Sequence, residues 1–415
     1  MRTTEMFYRW TLLVAASLLL SGCSWFSWLP WVDDKDNKED PAEPAKLVKF
    51  DAEIKLERLW KTSVGDGLGK KYLKLPPAIV ADLIIAADGY GHVQANDRFT
   101  GKRVWQAEVG QVGGSLLSVL NFIDRRDPSF VSGGVGAGAG KVYLGTTGGY
   151  VIALDVADGT ELWRTDLGSE VVAPAAADGS LVFAQTIDGR LVAMRADSGE
   201  IQWTFDNQLP ILTLRGTSMP VIAEDIVYAG FANGKLIALR AENGEPIWEH
   251  RVMLPEGRSE LDRMVDVDTT PLVNGPAVYV GAFQGRVKAL SRRDGRALWE
   301  LEVSTFQNLS EGYGQIYVVD DEDVVAAYDQ QTGEQVWVNE DFKLRGLTAP
   351  LAFSNYVVFG DAEGYLHVIA QRDGRHLGRR KLDGDGIRSE LVLGESTLYV
   401  LGNSGSLHAL EIELR

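Results

Sequence analysis

The sequence predicts an all-β fold, an eight-bladed β-propeller of four-stranded blades whose ring is closed by the N-terminal strand. The first observation is a phrase, Ala-x-x-x-x-x-Gly-x-x-x-Trp, which appears as ALDVADGTELW at 153–163 and recurs along the chain. The second is its period of about 45 residues, which suits a four-stranded blade and is too long for ankyrin or leucine-rich units. The third is that the first tryptophan strand has no preceding repeat, whereas the last repeat has no tryptophan strand.

The N-terminus reads as a targeting segment. Residues 1–22 are predicted to be a signal peptide, because a positive start precedes a short apolar run at 11–20 that is too short to span a bilayer permanently. The ending Leu-Ser-Gly-Cys resembles a bacterial lipobox and predicts that Cys23, the single cysteine of the chain, is lipidated, palmitate included. An ordinary cleavage site with an incidental cysteine is the alternative. Residues 23–52, charged and proline-containing after residue 33, are predicted to be a lipid-anchored flexible linker.

The repeats of the predicted propeller, 53–415, are marked by a turn glycine and a tryptophan. Glycine supplies the positive φ of a tight hairpin at little steric cost. Each tryptophan is expected to lie between neighbouring sheets as a structural wedge and to bury about 200 Å². In the seventh repeat Gly378 stands where tryptophan is expected. The predicted wedges are Trp60, Trp105, Trp163, Trp203, Trp248, Trp299 and Trp337.

Short alternating runs between the turns predict the strands. Stretches such as SLVFAQTIDGRLVAMRADSGEIQWTF at 180–205 alternate apolar and polar residues around Asp-Gly and Ser-Gly turns. Eight strands of the Ala-Leu type, the first near 91–97 and the last near 405–411, are expected nearest the axis. Because the chain ends after the last of these, residues 53–61 are predicted to complete the final blade and remove its open edge.

The net charge, the spacing of the histidines and the context of the glycine run argue against several functions. The net charge of −17 argues against a nucleic-acid partner. The five histidines lack metal-ligand spacing, and no catalytic triad or carboxylate pair is recognisable, so no catalytic residue, metal or cofactor is predicted. The glycine run GGVGAGAG at 133–140 precedes a strand and lacks the following Lys-Ser/Thr of a phosphate loop. It belongs to an insert, 111–140, that is expected either to cover the funnel mouth or to touch a partner.

The units resemble the tryptophan-docking repeats of pyrroloquinoline-quinone dehydrogenases. As a lipidated, single-domain, eight-bladed form, the chain resembles the BamB family of outer-membrane-protein assembly factors. The segments that carry this resemblance most clearly are TSVGDGLGKKYLKLPPAI (62–79), LPILTLRGTSMP (209–220), LDRMVDVDTTP (261–271) and GDAEGYLHVIAQRDGR (360–375). The resemblance implies a non-catalytic scaffold of the BAM complex at the periplasmic face of the Gram-negative outer membrane. It also implies that the chain binds a POTRA domain of BamA and assists unfolded outer-membrane-protein clients.

Two interruptions of the repeat hold the candidate partner-binding residues. The family resemblance implies that these residues are Leu212, Leu214 and Arg215 in segment 209–220, and Asp266 and Asp268 in segment 261–271. Alternation with valines would put both carboxylates on one face of a strand.

Alternatives remain open for these residues and for the function. The leucines are also compatible with packing under their own loop, and the aspartates with orienting Arg215 or Arg263 or, on weaker grounds, with binding Ca²⁺. The rival functions are a quinoprotein dehydrogenase and a propeller module for a different periplasmic partner.

Overall fold

A computed structural model describes residues 43–69, 71–109, 131–210, 218–254 and 264–415. The predicted signal peptide and Cys23 lie outside these residues. One compact unit, Pro44–Arg415, contains all thirty-two described strands. Within the described ranges, no helix is long and apolar enough to cross a membrane.

The strands form eight antiparallel four-stranded sheets, which confirms the predicted propeller. Blades 1 to 4 consist of β2 (Ala78–Val80), β3 (Leu83–Ala87), β4 (His92–Asp97) and β5 (Arg103–Glu108); β6 (Val131–Gly138), β7 (Lys141–Thr146), β8 (Tyr150–Asp155) and β9 (Glu161–Asp166); β10 (Ala176–Asp178), β11 (Leu181–Gln185), β12 (Arg190–Arg195) and β13 (Ile201–Asp206); β14 (Val221–Ala223), β15 (Ile226–Phe231), β16 (Lys235–Arg240) and β17 (Pro246–Arg251).

Blades 5 to 8 continue the same plan. They consist of β18 (Leu272–Asn274), β19 (Ala277–Gly281), β20 (Val287–Ser291) and β21 (Ala297–Leu301); β22 (Ser310–Gly312), β23 (Gln315–Val319), β24 (Val325–Asp329) and β25 (Gln335–Asn339); β26 (Leu351–Phe353), β27 (Tyr356–Gly360), β28 (Tyr365–Ala370) and β29 (His376–Lys381); β30 (Val392–Gly394), β31 (Thr397–Leu401), β32 (Ser406–Leu414) and β1 (Ile54–Ser63).

The first strand of each blade is the innermost, which corrects the expectation that the Ala-Leu strands lie nearest the axis. Inner strands of neighbouring blades contact each other around the axis, and all except β6 are only three residues long. The Ala-Leu strands are third of four and are nonetheless buried, as in β12, because neighbouring sheets cover both of their faces. Their apolar composition therefore reports contact between blades and not closeness to the axis.

A recurring contact, here called the tryptophan dock, joins one blade to the next. The Nε1–H of Trp105 on blade 1 donates to the carbonyl oxygen of Val156 on blade 2 at 2.8 Å. Its ring lies on Gly159, where an added Cβ would stand 2.5 Å from the indole and where φ is +76°. Glycine is thus needed both for the turn and for the flat contact. Equivalent docks are made by Trp60, Trp163, Trp203, Trp248, Trp299 and Trp337.

The ring closes in blade 8, where the two ends of the chain pair. β1 runs antiparallel to β32 from the pair Ile54–Leu414 to the pair Ser63–Ser406, as predicted. Because these strands come from opposite ends of the chain, no hairpin joins them, and blade 8 offers no turn on which an indole from blade 7 could dock. Gly378 replaces the tryptophan there, and Ile54 lies where a Cβ of residue 378 would be, 2.7 Å from its Cγ1.

Residues 44–52, which the sequence places in the flexible linker, lie along blade 7. Ala45 donates to the carbonyl oxygen of Lys343 and accepts from Arg345, both at 2.8 Å. The Phe50 ring stacks on His376 with centroids 5.0 Å apart. The guanidinium of Arg379 lies 5.4 Å from the centre of the same ring. Hydrogen bonds to the backbone and these two contacts of Phe50 hold a stretch whose composition is otherwise that of a linker.

The glycine run at 133–140 forms most of β6, the inner strand of blade 2. A Cβ at Gly136 would lie 2.1 Å from the carbonyl oxygen of Ala175, and one at Gly138 would lie 2.7 Å from the Cβ of Ala177. The glycines therefore allow close approach of the blade 3 backbone near the axis. Most of the predicted insert, residues 111–130, lies outside the described residues.

Candidate functional site

All the interruptions of the repeat are connections from an outer strand to the inner strand of the next blade. In an antiparallel four-stranded blade these connections share one end of the ring with the turn between the second and third strands. We call this end the connection face and the opposite end the turn face. The described residues 207–210, 218–220, 252–254 and 264–271 follow blades 3 and 4 and so belong to the connection face.

Leu212, Leu214 and Arg215 lie outside the described residues, but the end of their segment is defined. Ser218 is fully buried, and its Oγ–H donates to the carbonyl oxygen of Thr269 at 3.0 Å. Thr269 in turn holds blade 5, because its hydroxyl donates to the carbonyl oxygen of Gly281 at 2.9 Å and accepts from that residue's N–H. The structure thus ties the two predicted partner-binding segments to each other.

Asp266 and Asp268 lie in the second segment, and neither is an open surface residue. Asp266 is 2% exposed, and its carbonyl oxygen accepts from Phe283 N–H at 2.9 Å. The alternating Val265 and Val267 are buried in the core between blades 4 and 5. The Asp266 carboxylate interacts with that of Asp268, which lines a cavity at the centre of the ring. A side chain buried like that of Asp266 is not available for direct contact with a partner.

The central cavity has a volume of about 330 Å³ and opens among the connections of several blades. One part of its lining is polar and includes Lys74, Asp268, Asn308 and Glu390. The other part is apolar and includes Pro76, Val172, Pro174 and Met219. Because the lining residues come from the connections around the ring, the cavity lies on the axis at the connection face.

Two charged groups of the polar part, the Lys74 ammonium and the Asp268 carboxylate, are largely shielded from bulk water. Burial lowers the pKa of Lys74, against the opposing influence of Glu390 and Asp268. Its Nζ donates to Gln307 Oε1 at 2.9 Å. Burial raises the pKa of Asp268 to about 6, although the ammonium of Lys74 acts in the opposite direction. Glu390 is held by Asn308, whose Nδ2 donates to its carboxylate at 2.6 Å.

The sequence analysis does not identify Lys74 as a site residue, although the alternation around it indicates that its side chain faces away from the core. It alternates with Leu73 and Leu75, which are 3% and 0% exposed. The backbone N–H of Leu75 donates to Ser389 Oγ at 3.0 Å, so the connection from β1 to β2 is held against the connection that leads into blade 8. A lysine between two buried leucines must therefore point into the opposite, polar space.

The cavity does not fit the anionic quinone of the dehydrogenases that the repeats resemble. Two carboxylates line it, and the burial that raises the pKa of Asp268 would make a further anion there still less favourable. Within the described part of the chain, no three His, Cys, Asp or Glu side chains are grouped so that they could hold a metal ion.

Known proteins are similar to this chain in both sequence and fold. A family model described as outer membrane protein assembly factor BamB matches residues 89–339. The chain is 35% identical over 404 residues to the BamB of Yersinia pestis, across 97% of this chain and 98% of that protein. The crystal structure of BamB from Moraxella catarrhalis matches with a TM-score of 0.76 at 27% identity, over 86% of this chain and 99% of that one.

A more distant likeness concerns the fold alone. A quinohemoprotein alcohol dehydrogenase from Pseudomonas putida matches with a TM-score of 0.67 at 14% identity, over 86% of this chain and 76% of that one.

Proposed function

The chain belongs to the family of outer membrane protein assembly factor BamB, and from this we propose that it is a non-catalytic scaffold lipoprotein of the BAM complex. In this proposal Cys23 anchors it to the periplasmic face of the outer membrane. Its connection face binds a POTRA domain of BamA, and the assembled complex inserts outer-membrane proteins. A role in outer-membrane-protein assembly is what its relatives' names state.

The observation that carries the partner site is the hydrogen bond from Ser218 to Thr269. It supports a single surface built from segments 207–220 and 264–271, adjacent in the ring and set on the rigid interface of blades 4 and 5. In this arrangement Leu212, Leu214 and Arg215 contact BamA. Apolar side chains beside a guanidinium are typical of the residues that dominate protein interfaces.

Asp266 and Asp268 take a different role in the same surface. Because Asp266 is buried and interacts with Asp268, both are proposed to fix the shape and charge of the surface from beneath. Their loss would then weaken BamA binding without removing a direct contact.

The scaffold acts by position. A rigid propeller attached to the membrane and to BamA raises the local concentration of unfolded clients that bind to it, as linked binding sites do. Clients could be bound by addition of a strand to an exposed outer blade edge. Two carboxylates line the cavity and disfavour an anionic quinone there, which argues against the rival quinoprotein activity.

Affinity capture tests the site. Arg215→Glu should abolish recovery of BamA from solubilised membranes, since it reverses the charge proposed to meet the partner. The matched control is Arg240→Glu, which changes the same residue type on the turn face of blade 4, where the side chain is 64% exposed. Undiminished capture by a folded Arg215→Glu protein would refute the assignment of this surface.

A second variant tests the positioning role. Asp266→Asn keeps the shape of the buried side chain and removes its charge, and it should reduce capture of BamA while the circular dichroism spectrum stays unchanged. Capture equal to that of the unmodified protein would show that the Asp266 carboxylate does not support the surface.

A further inference from the structure

The central cavity combines an apolar wall with charged groups that are incompletely paired. Among the described residues, Lys74 has one side-chain hydrogen bond, to Gln307, and its Nζ lies 5.5 Å from the centre of the Phe306 ring. Asp268 and Glu390 both influence it, without a direct ion pair to either in the described part of the chain. Burying the Lys74 ammonium and the Asp268 carboxylate beside the half-buried carboxylate of Glu390 is unfavourable unless something compensates. Such a place is a candidate for binding, because function is a common reason for retaining unfavourable charge.

The charge balance indicates the head group of the ligand. Among the described lining residues there are two carboxylates, Asp268 and Glu390, and one ammonium, Lys74. This lining favours a cation that donates hydrogen bonds to the carboxylates. Lys74 donates hydrogen bonds only, so the ligand must also carry an acceptor close to its cationic group.

The opposite wall indicates the body of the ligand. Pro76, Val172, Pro174 and Met219 come from the connections leading into blades 1, 3 and 4 and present no charged group. A cavity of about 330 Å³ is at the small end of ligand pockets, which range over ~300–1,000 Å³. It therefore suits a ligand of about one or two amino-acid residues.

We propose that the cavity binds an α-amino-acyl group with an apolar side chain. The ammonium of the ligand lies between Asp268 and Glu390, its carbonyl oxygen accepts from Lys74, and its side chain packs on the apolar wall. This chemistry is shared by a free apolar amino acid and by the N-terminal residue of a peptide. The proposal does not depend on BamA and would stand if the partner surface were elsewhere.

Isothermal titration calorimetry on the full chain in detergent, with phenylalanine amide as the probe, tests this directly. We expect saturable binding that weakens at least about tenfold for N-acetyl-phenylalanine amide, since a hydrogen bond to a charged group contributes about 1.5–3 kcal/mol. A similar loss is expected for glycine amide, which lacks the apolar side chain. Free phenylalanine and the peptide Phe-Ala-Ala-Ala amide distinguish the two sources, and binding of either supports the proposal.

Variants keep the test specific to the cavity. Asp268→Asn and Glu390→Gln should each weaken phenylalanine amide about tenfold. Asp321→Asn, which neutralises an exposed carboxylate on the same face, should leave binding unchanged. The proposal is overturned if no probe binds saturably, if the acetylated probe binds as well as the free amine, or if the control weakens binding as much as the cavity variants.

Discussion

Replacing Gly159 with alanine tests whether the tryptophan dock holds the blades together. Gly159 has a φ of +76°, and its missing Cβ leaves room for the Trp105 ring, which would otherwise be 2.5 Å away. The new methyl group introduces two costs: about 1–2 kcal/mol for alanine in the left-handed region and about 1–3 kcal/mol for overpacking against the indole. The free energy of unfolding should therefore fall by about 2–5 kcal/mol.

The chain contains a matched control. Gly168 has a φ of +71°, and a Cβ there would meet nothing within 4 Å. Gly168→Ala thus carries only the backbone cost of about 1–2 kcal/mol. Urea unfolding followed by far-ultraviolet circular dichroism measures both variants without depending on tryptophan emission.

A double variant isolates the contact. In a Trp105→Leu background the ring is absent, and Gly159→Ala should then cost no more than Gly168→Ala. Equal destabilisation by the two single variants, or an unchanged cost of Gly159→Ala after Trp105→Leu, would refute the idea that the glycine is required by the indole.

Three further predictions concern the seam and the cavity. Trp60→Ala should lower the free energy of unfolding by about 3–5 kcal/mol in urea titrations, because it removes the dock of the closing strand; an unchanged midpoint would contradict this. Burial and Lys61 lower the pKa of His408 to about 4. As the pH falls, this imidazole is therefore protonated in the unfolded chain before it is protonated in the folded one, and the free energy of unfolding should fall by up to about 3 kcal/mol from pH 6.5 to 4. His408→Gln should lose that slope, and a retained slope would assign it elsewhere. Because the pKa of Asp268 is raised to about 6 in the fold, stability should fall as pH rises from about 4 to 6. Asp268→Asn should consequently be up to about 3 kcal/mol more stable at pH 8 and unchanged below pH 4, and equal stability at pH 8 would contradict the buried charge.

The sequence determines the architecture because each blade repeats a signal that depends on neighbouring residues. A turn glycine followed by a tryptophan identifies the outer hairpin, and the unpaired strand around Trp60 identifies the closure. The inner strands could not be predicted from the sequence, because a strand of three residues, such as β10, is too short to show an alternation of apolar and polar residues. The glycine run of β6 is intelligible only beside Ala175, which comes from the next blade.

The candidate site was less accessible to sequence reasoning for the same physical reason. Lys74, Asp268 and Glu390 are separated by long stretches of chain, and only the ring brings them to one cavity. From the sequence alone, Gly378 indicates only a degenerate repeat. The structure explains it, because blade 8 has no outer hairpin turn on which a tryptophan at this position could dock. Alternation indicated a shared face for the two aspartates, but burial of Asp266 follows from the packing of Val265 and Val267 between blades.

Site-specific photocrosslinking in intact cells tests the proposed docking face most directly. With p-benzoylphenylalanine at position 214, the connection face should give a crosslink to BamA. At position 242, exposed on the turn face of blade 4, the same group should give none. A BamA crosslink from position 242, or none from position 214 while BamA still copurifies, would contradict the proposed orientation.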